Sequence, residues 1–245
     1  MDLGLKGRRA LVTAASKGLG RACAEALIGE GAQVYISSRD AKAIEATGIA
    51  IAATGWTAAD VAREADIDAL IEAAIRKLGG LDALVVNAGG PAPGTFEATP
   101  IEAWDTAYQL TLLSAVRLVR GALPHLKRSD QGRIVFITSI SVRQPIPNLV
   151  LSNSLRAAVT GMAKTLSAEL APDRITVNCL APDAIRTDAL RRLGDLEQMA
   201  GRAPMRRLGE PAEVGAACAF LCSSQAAYIT GQSLGIDGGS LVGVH

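Results

Sequence analysis

The chain has 245 residues, enough for one large domain or two small ones, with 49% hydrophobic and 20% charged residues and a mean hydropathy of +0.25. That apolar content builds a sizeable core and excludes disorder and collagen-like repetition. Lysine plus arginine (25) against aspartate plus glutamate (24) leaves a net charge of +1, too balanced for a nucleic-acid binder or a protein drawn to an anionic membrane. Cys23, Cys179, Cys218 and Cys222 are too scattered for a disulfide framework, and only His125 and His245 could join them around a metal, so no metal site is expected. Cys218 and Cys222, at i and i+4, read as small core hydrophobes on one helix face. No apolar run reaches the roughly 18 residues that cross a bilayer, and the amino terminus has no apolar leader-like segment, so a cytoplasmic protein is expected.

In chain order, Arg9–Thr13 reads as a strand, Gly18–Gly31 as a helix and Gln33–Ser37 as a second strand, the alternation of a parallel sheet with crossover helices. Ile67, Leu70, Ile71, Ala74, Ile75 and Leu78 line one helix face, and Gly79-Gly80 supplies the stop. Leu84–Val86 is a buried strand. Arg133–Thr138 and Ile175–Asn178 read as strands flanking a helix from about Ser152 to Leu170, and Gln232–Ile236 as the last strand. No linker or fixed-period repeat divides the chain, so a single domain over 1–245 is expected. The arginine-rich stretch from Asp183 to Arg207 has no long apolar run and is expected to be a mobile flap.

Between the first strand and first helix lies Thr13-Ala14-Ala15-Ser16-Lys17-Gly18-Leu19-Gly20. Gly18 and Gly20 would let the backbone approach a diphosphate closely, while the helix amino terminus offers free N–H groups and a positive dipole end. Glycines are also ordinary residues of strand-to-helix turns. The second strand ends in Ser37-Ser38-Arg39; at that place an acid would bind the free 2′-OH of NAD, whereas a cation accepts the 2′-phosphate of NADP. Lys17 in the glycine turn adds a second positive charge, so NADP(H) is expected in preference to NAD(H). Two solvated surface cations are the alternative, and Asp40 next door argues the other way.

These residues resemble the short-chain dehydrogenase/reductase family along nearly the whole chain, in particular its 3-oxoacyl-(acyl-carrier-protein) reductase group and related sugar and alcohol dehydrogenases. The family's T-G-x-x-x-G-x-G appears as Thr13 to Gly20, with Ala14 at the first glycine. Asp60-Val61 matches the pair that contacts adenine, Asn87-Ala88-Gly89 the N-A-G after the fourth strand, and Ala181-Pro182-Asp183 the usual A-P-G. Ile229-Thr230-Gly231-Gln232 and Asp237-Gly238-Gly239 match the carboxy-terminal signature. The resemblance implies an α/β fold, a Rossmann-type doubly wound parallel sheet of about seven strands in three α/β/α layers. It also implies hydride transfer between nicotinamide and a carbonyl or alcohol substrate, and a homotetramer or homodimer. The cofactor-binding set carried over is Ala14, Ser16, Lys17, Gly18, Leu19, Gly20, Arg39, Asp60, Val61, Asn87, Ala88, Gly89, Arg156, Pro182, Ile185 and Thr187.

The catalytic set departs from the family. Ser139 matches the family serine, but alignment of Ala157–Lys164 with the family helix puts Ser152 at the tyrosine of Y-x-x-x-K and Arg156 at its lysine. Thr111 stands at the helix-four asparagine. Reduction of a ketone develops an alkoxide, and a positioned acid of suitable pKa contributes roughly 10²- to 10⁴-fold. A serine hydroxyl is a weaker acid than a phenol, and an arginine does not readily release its proton. Three readings stay open: an oxidoreductase in which Ser139 and Ser152 hold the substrate oxygen while water or another group supplies the proton; a catalytically inactive nucleotide-binding or partner protein; and a scaffold turned to non-redox chemistry. Tyr108, one turn before Thr111, could share its face or simply pack. Arg143 could hold an anionic substrate group or be a solvated cation. Asp183 could donate a proton if buried, or cap a turn.

Overall fold

Runs of valine, isoleucine, leucine and alanine form the strands in the computed structural model, which describes residues 2–192 and 194–243. The order is β1 (Arg9–Val12), α1 (Gly18–Gly29), β2 (Gln33–Ser38), α2 (Ala41–Ala50), β3 (Gly55–Ala58), α3 (Glu64–Leu78) and β4 (Ala83–Val86). Helix α4 (Ile101–Tyr108) then runs through a π-helical turn (Gln109–Leu113) into α5 (Ser114–Leu126). There follow β5 (Arg133–Ile137), α6 (Val150–Glu169), β6 (Thr176–Pro182), the short α7 (Asp188–Arg191) and α8 (Leu196–Arg202), α9 (Pro211–Cys222) and β7 (Ser233–Ile236). The strands pair in parallel in the order β3-β2-β1-β4-β5-β6-β7, the doubly wound Rossmann-type sheet that the resemblance implies.

The near-continuous apolar runs have a direct cause: successive strand residues point to opposite faces, and both faces are covered. Leu11, Leu84, Ile134, Phe136 and Val177 face α3, α5 and α6 through Leu70, Leu118 and Val159. Their neighbours Val12, Val85, Val135 and Leu180 face α1, α2 and α9 through Leu27, Ile44 and Val214. Gly79 ends α3 in the left-handed conformation (φ +75°), as the Gly79-Gly80 stop predicts.

Several boundaries differ from the sequence expectation. Strand β6 continues past Asn178 to Pro182 because β7 pairs with Cys179–Pro182 and extends the ladder. The stretch expected as an irregular flap holds α7, whose first turn is capped by the Thr187 hydroxyl, and α8, capped by the Asp195 carboxylate. Helices α2, α4 and α5 and strand β3 are additional to the elements read from sequence, and α9, read only as the helix face of Cys218 and Cys222, begins at Pro211.

All four cysteines are buried and free. The Cys218 thiol is pushed well above its ordinary range by its hydrogen-bonded neighbours Cys222 and Cys23 and by burial, as expected of a thiol that serves as core packing. Among the described residues no three metal-ligating side chains converge and no helix is long and apolar enough to cross a membrane. His245 lies outside the described residues.

Helices α1 and α9 touch through small residues: a Cβ on Gly215 would fall 2.5 Å from the Ala22 carbonyl oxygen. Gly215→Ala is expected to lower stability by about 1–3 kcal/mol, read as a lower urea midpoint with an unchanged slope.

Candidate functional site

Strand β1 has β2 on one side and β4 on the other, so the chain reverses its direction of winding there and leaves a crevice at the carboxyl ends of the strands. The turn after β1 is suspended from its neighbours. The buried Thr13 hydroxyl donates to the Asn87 carbonyl (2.6 Å) and accepts from the Asn87 N–H (2.9 Å), and Asn87 Nδ2 donates to the Ala14 carbonyl (3.2 Å). The Ala15 N–H donates to the Ser37 carbonyl (2.8 Å), and the Thr47 hydroxyl donates to the Ser16 carbonyl (2.8 Å).

Gly20 cannot carry a side chain here. A Cβ would lie 2.5 Å from the Ala14 carbonyl oxygen and 2.8 Å from Asn87 Nδ2. Ala14, where the family pattern has glycine, sits at φ +48°, a left-handed conformation that alanine adopts at a cost. Thr187 approaches the turn: its Cγ2 would be 3.7 Å from a Cβ on Gly18. Thr187, at the cap of α7 beyond the end of β6, therefore lies against the glycine turn.

The electrostatics of this end favour an anion. Helix α1 begins at Gly18 with no acid in its first turn and no side-chain cap, so its N–H groups and positive dipole end are free. Lys17 and Arg39 are exposed and neither pairs with an acid among the described residues. Asp40 is otherwise engaged, its carboxylate accepting the Ala43 N–H (3.0 Å) as the cap of α2. At the end of β3, the Asp60 carboxylate accepts from the Ala62 N–H (3.0 Å) and Val61 is buried. Asn87, Ala88 and Gly89 follow β4.

Across the crevice, Ser139 follows β5 and its hydroxyl accepts the Ser141 N–H (3.1 Å), starting a short 3₁₀ turn, Ile140–Val142. Ser152 lies in the first turn of α6, half-buried, with no hydrogen bond to a described residue. One turn on, Arg156 Nη1 donates to the carbonyls of Ile137 (2.9 Å) and Thr138 (3.1 Å). No carboxylate pairs with it among the described residues, and burial lowers its pKa; an arginine nevertheless keeps its charge. Thr111 is buried in the π turn, which packs against α6, and its hydroxyl has no partner among the described residues. Inserted π turns of this kind occur often at functional sites.

Other expectations fare differently. Tyr108 is 41% exposed. Arg143 is exposed but not free, its Nη2 donating to the Ser233 carbonyl (2.7 Å). Asp183 closes a tight turn through its backbone carbonyl, which accepts the Ile185 N–H (3.0 Å), and lines a cavity of about 340 Å³ with Met205, Arg207 and Ile236. Sequence reasoning missed Thr47, Asn153 and the π turn. The Thr47 and Asn153 side chains meet backbone groups of Ser16 and Ile146, which no motif announces.

A family profile described as Enoyl-(Acyl carrier protein) reductase matches residues 13–240. Dehydrogenase/reductase SDR family member 4 of Homo sapiens is 34% identical over 246 residues, covering 96% of this chain and 88% of that protein. Among solved structures, YwfH, an NADPH-dependent reductase involved in bacilysin biosynthesis, superposes with a TM-score of 0.93 at 31% identity, covering 97% of this chain and 99% of that one. The 3-ketoacyl-(acyl-carrier-protein) reductase of Brucella melitensis complexed with NADH gives 0.92 at 34% identity, with 97% and 99% covered.

Thr13→Val keeps the side-chain shape and leaves the Asn87 N–H and carbonyl without their partner. A loss of about 1–3 kcal/mol is expected, measured by urea denaturation against wild type; an unchanged midpoint would show that the two loops do not depend on this contact.

Proposed function

The chain belongs to the short-chain dehydrogenase/reductase family, and from that premise we propose an NADP(H)-dependent oxidoreductase acting on a carbonyl or alcohol substrate. In this reading Ser139, Ser152 and Arg156 handle the reacting oxygen in place of the family's tyrosine and lysine. The turn from Ala14 through Ser16 and Leu19 to Gly20 would hold the diphosphate, Lys17 and Arg39 the 2′-phosphate, and Asp60 and Val61 the adenine. Asn87, Ala88, Gly89, Pro182, Ile185 and Thr187 would line the rest of the dinucleotide. The closeness of Gly20 to the Ala14 carbonyl, the acid-free first turn of α1 and the commitment of Asp40 to its helix cap all support that fit. The relatives divide, one named for NADPH and one complexed with NADH, so the preference for NADP(H) rests on the two unpaired cations. When bound, such a cofactor supplies or receives a hydride.

The observation that carries the reading is the anchoring of Arg156. Nη1 is held by two carbonyls, so the guanidinium is fixed beside Ser139 while Nε and Nη2 have no partner among the described residues. A fixed, partly desolvated cation stabilises negative charge as it develops on a substrate oxygen. The Ser139 and Ser152 hydroxyls hydrogen-bond that oxygen, and a water bound beside them passes on the proton. Dimeric or tetrameric assembly, a single functional domain and a cytoplasmic location belong to the same reading.

Two measurements test it. Titration by tryptophan fluorescence should give tighter binding of NADPH than NADH, and Arg39→Ala should weaken NADPH about tenfold, ~1.4 kcal/mol, with little effect on NADH; tighter NADH binding in wild type overturns the assignment of Lys17 and Arg39. Against a panel of ketones, aldehydes and oxoacyl thioesters, NADPH oxidation should appear and Ser139→Ala should reduce kcat/KM on the order of 10²-fold. Tight binding with no turnover of any substrate would favour the inactive nucleotide-binding alternative.

A further inference from the structure

Between the two serines the chain makes an excursion, 140–151, and the part with least regular structure is fastened at three places. At its start, the Arg143 guanidinium donates to the Ser233 carbonyl on β7 (2.7 Å). At its end, the Asn148 carbonyl accepts the Gly94 N–H (2.7 Å) and the Val150 N–H donates to the Gly94 carbonyl (3.3 Å), a parallel bridge to the loop after β4. Asn148 is held at φ +61° to make that contact, a conformation that asparagine tolerates better than most residues.

The middle is the sequence Pro145-Ile146-Pro147. Neither proline has an N–H and both have a fixed φ, so Ile146 is the one residue of the three with a backbone donor. Asn153 takes both of its polar groups: Oδ1 accepts the Ile146 N–H (3.4 Å) and Nδ2 donates to the Ile146 carbonyl (2.9 Å). An amide side chain both donates and accepts from one planar head. Asn153 is the residue directly after Ser152, in the same first turn of α6, so the clasp ties the segment to the helix turn that presents the candidate hydroxyl.

We infer that Asn153 is a positioning residue that fixes segment 143–149 as a preformed wall of the substrate cleft, so that this segment does not act as a lid closing over the substrate. The inference rests on the oxidoreductase reading for what the wall encloses, but not for the clasp itself. With its two ends set by Ser139 and Ser152 and its middle held by Asn153, the wall governs where a substrate lies relative to both hydroxyls. Its loss should appear in substrate binding, not in the dinucleotide site.

Hydrogen exchange followed by mass spectrometry tests the clasp with no substrate present. In wild type the Ile146, Gly94 and Val150 amides should be protected with and without NADPH. In Asn153→Leu they should exchange at least about tenfold faster, while amides of the glycine turn and the affinity for NADPH stay unchanged. With ethyl acetoacetate as the probe ketone, KM should rise about tenfold and kcat change by less than about twofold. Asn153→Asp, which keeps the acceptor and loses the donor, should move both readouts in the same direction by less, and carries the test if the leucine variant folds poorly. Protection that appears in wild type only on adding NADPH and probe overturns the inference, as does unchanged exchange at Gly94 and Val150 in both variants, or faster exchange with an unchanged KM. Absence of NADPH oxidation in wild type with every carbonyl probe would sink the oxidoreductase reading, and the exchange contrast would then decide the clasp by itself.

Discussion

At the reversal between β1 and β4 the loops after these strands part to open the crevice, and three hydrogen bonds between Thr13, Ala14 and Asn87 hold them at a fixed separation. Much of the site's geometry follows from that contact. It sets the Ala14 carbonyl where it excludes a side chain at position 20, which in turn lets α1 begin directly at the crevice with its amino terminus uncovered. The apolar faces of the sheet then do the rest: they fix strand register, and register fixes which residues emerge at the carboxyl ends.

The legible part of the fold was the part in which burial is periodic. Helix α3 announces itself because its buried residues Ile67, Leu70, Ile71, Ala74 and Leu78 form one stripe, and the central strands because both of their faces are covered. The missing elements lack such a signature. Strand β3 is short and only half-buried along Gly55–Thr57. Helix α9 does bury one face, Val214, Gly215, Cys218, Ala219 and Cys222, but its exposed side also carries the apolar Ala212, Ala216 and Phe220, so no stripe stands out in the sequence. The α4–α5 unit contains a π turn that offsets the apolar face on one side of it from that on the other.

The candidate site was legible to a similar degree. Glycine spacing and the pairs Asp60-Val61 and Asn87-Ala88 are local patterns, and each of these residues does come out at a strand end around one crevice. The contacts that shape the candidate site are instead between a side chain and a backbone carbonyl outside any motif: Thr47 to Ser16, Arg156 to Ile137 and Thr138, Asn153 to Ile146. Any residue has a backbone carbonyl, so such partners leave no trace in composition or spacing.

The arginines of this chain show why the partner matters. Arg9 is met by the nearly buried Asp82, whose carboxyl burial would push up but hydrogen bonds from Arg9 and Ser129 hold below its ordinary value. Arg207 similarly holds the Glu213 carboxyl down to about 2. In both pairs the opposite charge cancels most of the field at a distance. Arg133 is buried without an acid, but it spends Nε, Nη1 and Nη2 on the carbonyls of Gly132 and Ser223. Arg156 differs from all of these: neutral dipoles hold it through Nη1, its positive charge is uncancelled, and its remaining nitrogens are uncommitted among the described residues. Dipoles orient a cation without neutralising it, so on the proposed oxidoreductase reading the field of Arg156 is available to negative charge developing on a substrate oxygen. On that same reading the proton would come from a hydroxyl or a water, since a guanidinium does not release its own.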